Sequence, residues 1–234
     1  MKVIFTIDHD HDFAIIYELL KRDKNQERFA GKISSSLLKK TSSLKREEFI
    51  KELKKYTQKK YGSSSQFLEK TVRLYQLSWD EINEEFFSKT EEITGFSWKY
   101  KEYFCVVSFF NKGISNWGGD KIIRGWNENP YLMWKITAHE LLISHIFCIF
   151  EKKEFAKYNL SSDKKWKIAE ISAFAICGLE KKMIKLWPWT TEEERYPLNH
   201  NYPHIYESQK KLKTFYKNKK DFKSFLKKAI KEIP

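Results

Sequence analysis

The chain has 234 residues, of which 38 are Phe, Tyr or Trp and only 13 are Gly or Pro. That much side chain supports one sizeable core, and the scarcity of turn formers excludes a collagen-like, linker-rich or many-turned all-β chain, so helix should dominate. An apolar content of 41% argues against disorder despite a net charge of +13.

The charge is a weak guide to partners. Of the 44 basic residues 38 are Lys, whereas bidentate recognition of phosphates and bases favours the guanidinium of Arg. The excess concentrates in residues 205–234, where ten Lys face Glu207, Asp221 and Glu232. Nucleic-acid association through this Lys-rich tail is a reading the charge allows but does not favour, and a packed helix with a solvated basic face accounts for it better. Cys105, Cys148 and Cys177 are odd in number and set in apolar surroundings, as expected of reduced structural thiols and a cytoplasmic setting. The N-terminus lacks the apolar run and cleavage site of a signal peptide. Residues 131–150 are apolar enough for a membrane span but hold Lys135, His139, Glu140 and His145, which points to a buried helix of a soluble protein instead.

In chain order, Val3 to Ile7 predicts a strand, and Phe13, Ile16, Tyr17 and Leu20 a helix after it. Between them lies Asp8-His9-Asp10-His11-Asp12, which reads as an acidic turn or helix cap. Its His-x-His spacing is also the first ligand pair of amidohydrolase-type binuclear metal sites, but the eight βα units of such barrels are not visible. Residues 23–45 read as loop or weak helix. Helices follow around Phe49–Tyr56, ending near Gly62, and from Ser65 to Leu77. Ser78-Trp79-Asp80-Glu81 has the form of a capping box opening a further helix that Gly95 ends. From Trp98 to Phe110 the residues become β-branched and aromatic, and a second strand is expected at 121–126 after turns at 111–113 and 117–120. Asn129-Pro130 then opens an apolar helix over 131–150. Asp163 is expected to cap another from Lys164 to about Leu186, closed by Trp187-Pro188-Trp189. A last amphipathic helix uses Phe222, Phe225, Leu226, Ile230 and Ile233.

The chemistry-bearing residues gather on the two apolar helices. His139 and Glu140 lie in Ile136-Thr137-Ala138-His139-Glu140-Leu141-Leu142-Ile143-Ser144-His145, surrounded by apolar side chains, so each should be paired, hydrogen-bonded or bound to something. Glu170 lies about 30 residues on, near the start of the next helix. With the preceding strands, this pattern resembles zincin metallopeptidases of the gluzincin type over roughly residues 97–185. The resemblance implies an α+β, zincin-like fold, mostly helical with a small sheet before the active helix pair. It implies a zinc cofactor, a peptide or protein substrate, His139 and Glu170 as metal ligands and Glu140 as the general base that takes a proton from zinc-bound water. It also implies an edge strand where an extended substrate pairs.

The departure is at the second ligand. At i+4 from His139 stands Ile143; the next His is His145 at i+6, about 240° round a regular helix, so this pair chelates only if the helix is distorted near Ile143-Ser144. His200, Tyr202 and His204 are candidates for a replacement ligand or oxyanion donor, each reading first as a loop residue. The alternative is a zincin-like protein without activity, acting as a binding module. Residues 1–96 form a mostly helical N-terminal region and 97–234 the metallopeptidase-type region with its basic C-terminal helix, together one compact domain.

Overall fold

Strand β1 (Lys2–Thr6) forms where Val3, Ile4 and Phe5 predict it, and it pairs in parallel with β2 (Glu102–Ser108), Ile4 opposite Phe104. Strand β4 (Lys121–Gly125) continues the parallel set, with Val106 opposite Ile123. A three-residue strand, β3 (Gly113–Ser115), runs antiparallel to β4 and ends the sheet, giving the order β1-β2-β4-β3. The computed structural model describes the chain apart from residues 24–28, 30–31, 41–42, 63–64, 112, 116 and 198–202. His200 and Tyr202, and Lys112 of an expected turn, therefore lie outside the described residues.

Twelve α-helices and a short 3-10 helix (Pro203–Ile205) are described around this sheet, making the fold α+β and predominantly helical. The N-terminal ones are α1 (His9–Asp23), α2 (Ser35–Lys40), α3 (Arg46–Tyr61), α4 (Ser65–Asp80) and α5 (Asn83–Thr94), the last ended by Gly95 at φ 73°. After the sheet come α6 (Leu132–Phe150), α7 (Lys153–Ala156), α8 (Ser162–Leu179), α9 (Lys181–Ile184), α10 (Glu192–Arg195), α11 (Tyr206–Lys217) and α12 (Phe222–Glu232). The sheet takes β1 from the N-terminal region and its other strands from the region after residue 96, so the two share one structure. Helices α4, α5, α6, α8, α11 and α12 feed the main core, while α1, α2 and α3 build a smaller cluster from Phe13, Leu37, Phe49 and Leu53 against Phe110.

The outer edge of β1 is closed by side chains. Gln76 Oε1 accepts from Phe5 N at 2.9 Å and Gln76 Nε2 donates to the Val3 carbonyl at 3.0 Å, while Asn83 Oδ1 accepts from Val3 N at 3.1 Å. Two amide side chains thus supply what a fifth strand would.

Four local expectations are corrected. Ser78 is not a cap: α4 runs through it, and its hydroxyl accepts from Trp134 Nε1 at 2.7 Å and donates to the Pro130 carbonyl at 3.2 Å, so tertiary partners take the oxygen that a cap would use. The cap of α8 is Ser161 rather than Asp163, with Ser161 Oγ accepting from Lys164 N. Helix α8 stops at Leu179, where Glu180 turns extended, instead of reaching Leu186. The C-terminal region has two helices, not one: α11 precedes α12, and both bury an apolar face that includes Leu212, Tyr216, Phe225 and Leu226. Their lysines point outward, and several are paired, Lys213 with Glu192 at 3.0 Å and Lys228 with Glu232 at 2.8 Å.

The Asp8–Asp12 segment is a helix cap with a buried anchor. Asp8 Oδ1 accepts from His11 N at 3.0 Å, and its other oxygen pairs with Lys121 at 2.8 Å. Asp12 is 2% exposed; Ser108 Oγ donates to one oxygen and Asn111 Nδ2 to the other, both at 2.7 Å. Burial raises its pKa to about 6, against the opposing pull of those two hydrogen bonds. A carboxyl whose folded pKa exceeds its unfolded value contributes stability below about pH 4 that is lost as pH rises through about 6, here on the order of 3 kcal/mol. Denaturant unfolding of the wild type and Asp12→Asn between pH 3.5 and 7 should therefore show their difference moving by about that amount in favour of the variant. A pH-independent difference would refute this role for Asp12.

Candidate functional site

Helix α6 is apolar on nearly every side, and 15 of its 19 residues are buried. It is long and apolar enough to cross a membrane, yet it lies in the interior, against β3 and β4 and, most extensively, α8. Its less-buried residues are Leu132, Lys135, Ile136 and Glu140. Leu132, Ile136 and Glu140 follow at i, i+4 and i+8, so a single narrow stripe leads from the surface down to Glu140.

His139 and Glu170 meet across the α6–α8 seam. His139 Nε2 and Glu170 Oε1 are 3.2 Å apart, with 10% and 7% of their side chains exposed. The imidazole packs against Phe174 at 4.3 Å between ring centres, and its Nδ1 has no hydrogen-bond partner. Burial pulls the His139 pKa down, but the charge and hydrogen bond of Glu170, helped by Glu140, outweigh it and hold the imidazole above its ordinary value.

Glu140 is half-buried, and its negative charge acts on Arg124 of β4 as well as on His139. Arg124 is 1% exposed and ion-paired to Glu128, while its Nε and Nη1 have no hydrogen-bond partner. Burial lowers the Arg124 pKa and the Glu140 charge raises it. The Tyr75 hydroxyl fixes this corner, donating toward the Gly125 carbonyl at 2.9 Å and accepting from Glu128 N at 2.9 Å. Arg124, Glu128 and Tyr75 were not among the residues singled out from the sequence. The available signal was one guanidinium within the apolar strand run Ile122-Ile123-Arg124, with a carboxylate four residues on.

His145 joins a different environment. Its Nε2 lies 3.2 Å from Thr94 Oγ1 and its ring packs on Trp98 at 4.3 Å, at the seam with α5. Burial pushes its pKa down to about 3, so the ring is neutral. Because α6 is helical throughout 132–150, the i+6 spacing keeps its full rotation, and His145 is not brought to His139. Ile143, at the i+4 position, is 3% exposed and part of the main core. His204 is exposed, its ring stacked on Trp166 at 5.7 Å, four residues before Glu170 on α8.

Zinc needs three protein donors and an open fourth position for catalysis. Two of the implied donors face each other, the third position holds a hydrocarbon side chain, and His145 is turned away, so the described residues do not fit that centre. Among the described residues no group of three or more His, Cys, Asp or Glu is arranged to hold a metal ion. No family model, curated protein or solved structure matches the chain.

A buried ion pair is most sensitive to loss of one partner, because the survivor stays desolvated and unpaired. His139→Ala and Glu170→Ala should each lower unfolding free energy by about 3 kcal/mol. The double variant should lose at least about 1 kcal/mol less than their sum in a double-mutant cycle. An additive cycle would mean that the two side chains are neighbours without being partners.

Proposed function

We propose that this chain is a zincin-like protein that works as a binding module for an extended polypeptide segment and not as a zinc peptidase. The observation that carries the reading is the direct His139–Glu170 contact at 3.2 Å, with Ile143 in place of a further ligand. The His139–Glu140 dipeptide on a helix behind a small sheet, and the carboxylate on the next long helix, support the zincin-like part. The sheet supports the binding part. Its β1 edge is sealed by Gln76 and Asn83, whereas β3 ends the other side beside α6, and an extended segment binds by adding to such an edge. The three buried, unpaired thiols Cys105, Cys148 and Cys177 suit a reducing, cytoplasmic setting as part of the same proposal. Nucleic acid is a less favoured partner, since the lysines of α11 and α12 are partly committed to Glu192 and Glu232.

A second reading is a zinc peptidase completed by His200 or Tyr202. In its favour, His204 stacks on Trp166, which brings the chain after these residues to the helix that bears Glu170. Metal content separates the two readings. Protein purified without chelators or a His tag and offered zinc should carry far less than one ion per chain by elemental mass spectrometry, and should cleave a mixed peptide substrate no faster than Glu140→Gln. One zinc per chain that disappears in His139→Ala, with hydrolysis abolished by Glu140→Gln, would replace the binding-module reading by the peptidase.

A further inference from the structure

Most large apolar side chains of this chain are buried, and those left in water are not scattered. On α4, Phe67, Leu74 and Leu77 are exposed, Leu77 to 69%. They fall at i, i+7 and i+10, one stripe of the helix. That stripe borders the residues by which α4 grips the segment ahead of α6: Thr71 donates to the Trp126 carbonyl, Tyr75 to the Gly125 carbonyl and Ser78 to the Pro130 carbonyl. The segment then enters α6 through Tyr131 and Leu132, both exposed, with Ile136 one turn on from Leu132. Trp189 completes the face: its ring meets Tyr131 at 5.9 Å and Trp134 at 5.4 Å, and Trp134 is hydrogen-bonded to Ser78 of α4. The exposed side chains of this face leave several hundred Å² of largely apolar surface in water, as much as the largest patch on a typical monomer, roughly 300–600 Å², a size that marks interaction sites.

The charge around this face says what it fits. Lys70, over the Phe67 ring at 5.4 Å, and Arg73 stand among the apolar residues of α4, and Lys135 follows one turn after Tyr131 on α6. Carboxylates near it are turned to other partners: Glu128 and Glu140 to Arg124, Glu194 to Thr191 and Asp80 to Gln76. A second copy would bring the same basic charge, net +13, against itself, whereas an anionic surface suits both the cationic and the apolar side chains. Exposed Trp and Tyr beside Leu are the side chains that settle at the level of lipid headgroups, the ring in the acyl boundary and the polar tip in water. We propose that the face formed by Phe67, Leu74 and Leu77 of α4 with Tyr131, Leu132 and Trp189 docks this protein on a membrane surface rich in anionic phospholipid. The protein lies on that surface and does not span it, because the rest of α6 is committed to the interior. The proposal does not depend on how the His139–Glu170 seam is read.

Cosedimentation with vesicles of phosphatidylcholine alone, or with about a third phosphatidylserine, tests the docking. Three forms of the full chain are compared: the wild type, Leu77→Gln with Leu132→Gln, and Lys227→Glu with Lys231→Glu on α12. All four positions are exposed, and circular dichroism checks each fold. The leucine variant removes apolar contact without changing charge, and the lysine variant reverses charge on the basic tail without touching the face. The wild type should bind the phosphatidylserine vesicles at least about tenfold more tightly than those of phosphatidylcholine; the leucine variant should lose about tenfold, and the lysine variant less than about threefold. No binding to either vesicle, equal binding to both, or a loss in the lysine variant with none in the leucine variant overturns the proposal. A lipid-free dimer in sedimentation equilibrium that the leucine variant dissociates also overturns it, because a second copy would then cover the face.

Discussion

Helix α6 has almost no face for water, and most of the molecule follows from that. An amphipathic helix needs cover on one side; this one needs it all round. The sheet covers it through β3 and β4, α8 lies along another flank, and Trp98 with the end of α5 closes a third. The buried polar side chains on the helix are thereby cut off from bulk water and must find internal partners. Thr137 donates to Met133 Sδ, His139 meets Glu170 and His145 meets Thr94. Rotation round one helix distributes these partners, and the same rotation separates two histidines that lie only six residues apart in the chain.

Charge inside the fold obeys the same rule with larger stakes. Arg124 is buried with Glu128 as its ion-pair partner and the Glu140 charge nearby, leaving two guanidinium nitrogens without hydrogen bonds. Such a group is expensive to bury and is tolerated only where opposite charge faces it. Glu140 therefore has a role even without a metal: it helps to balance a strand arginine from the helix above. At the same end of the sheet Asp12 is held by Ser108, which lies opposite Gly125, and by Asn111, and these join the first turn of α1 to the end of β2.

Periodicity and residue type made much of this legible in the chain. Strands β1, β2 and β4 and helices α6 and α12 lie where β-branched runs and helical spacing point, because each buries a face that its own pattern defines. The β3 strand is three residues long and exists through β4, so no local pattern announces it. Ser78 has the form of a helix cap, but the indole of Trp134, 56 residues away, claims its oxygen. At the site, the divergence of His145 follows from counting residues per turn, whereas Glu170 is marked beside His139 only by the family resemblance, and their contact needs the packing of α6 on α8. The Arg124 cluster does not follow from counting either, since it depends on which strand lies beneath which helix.

The sealed flank of β1 carries a consequence for assembly. A sheet that polymerises end to end needs two complementary rims, one to offer and one to accept. With Gln76 and Asn83 occupying the backbone of β1 at Val3 and Phe5, that rim is closed to strand addition. The architecture thus denies one of the two rims that the repeating contact of a strand-by-strand fibre requires.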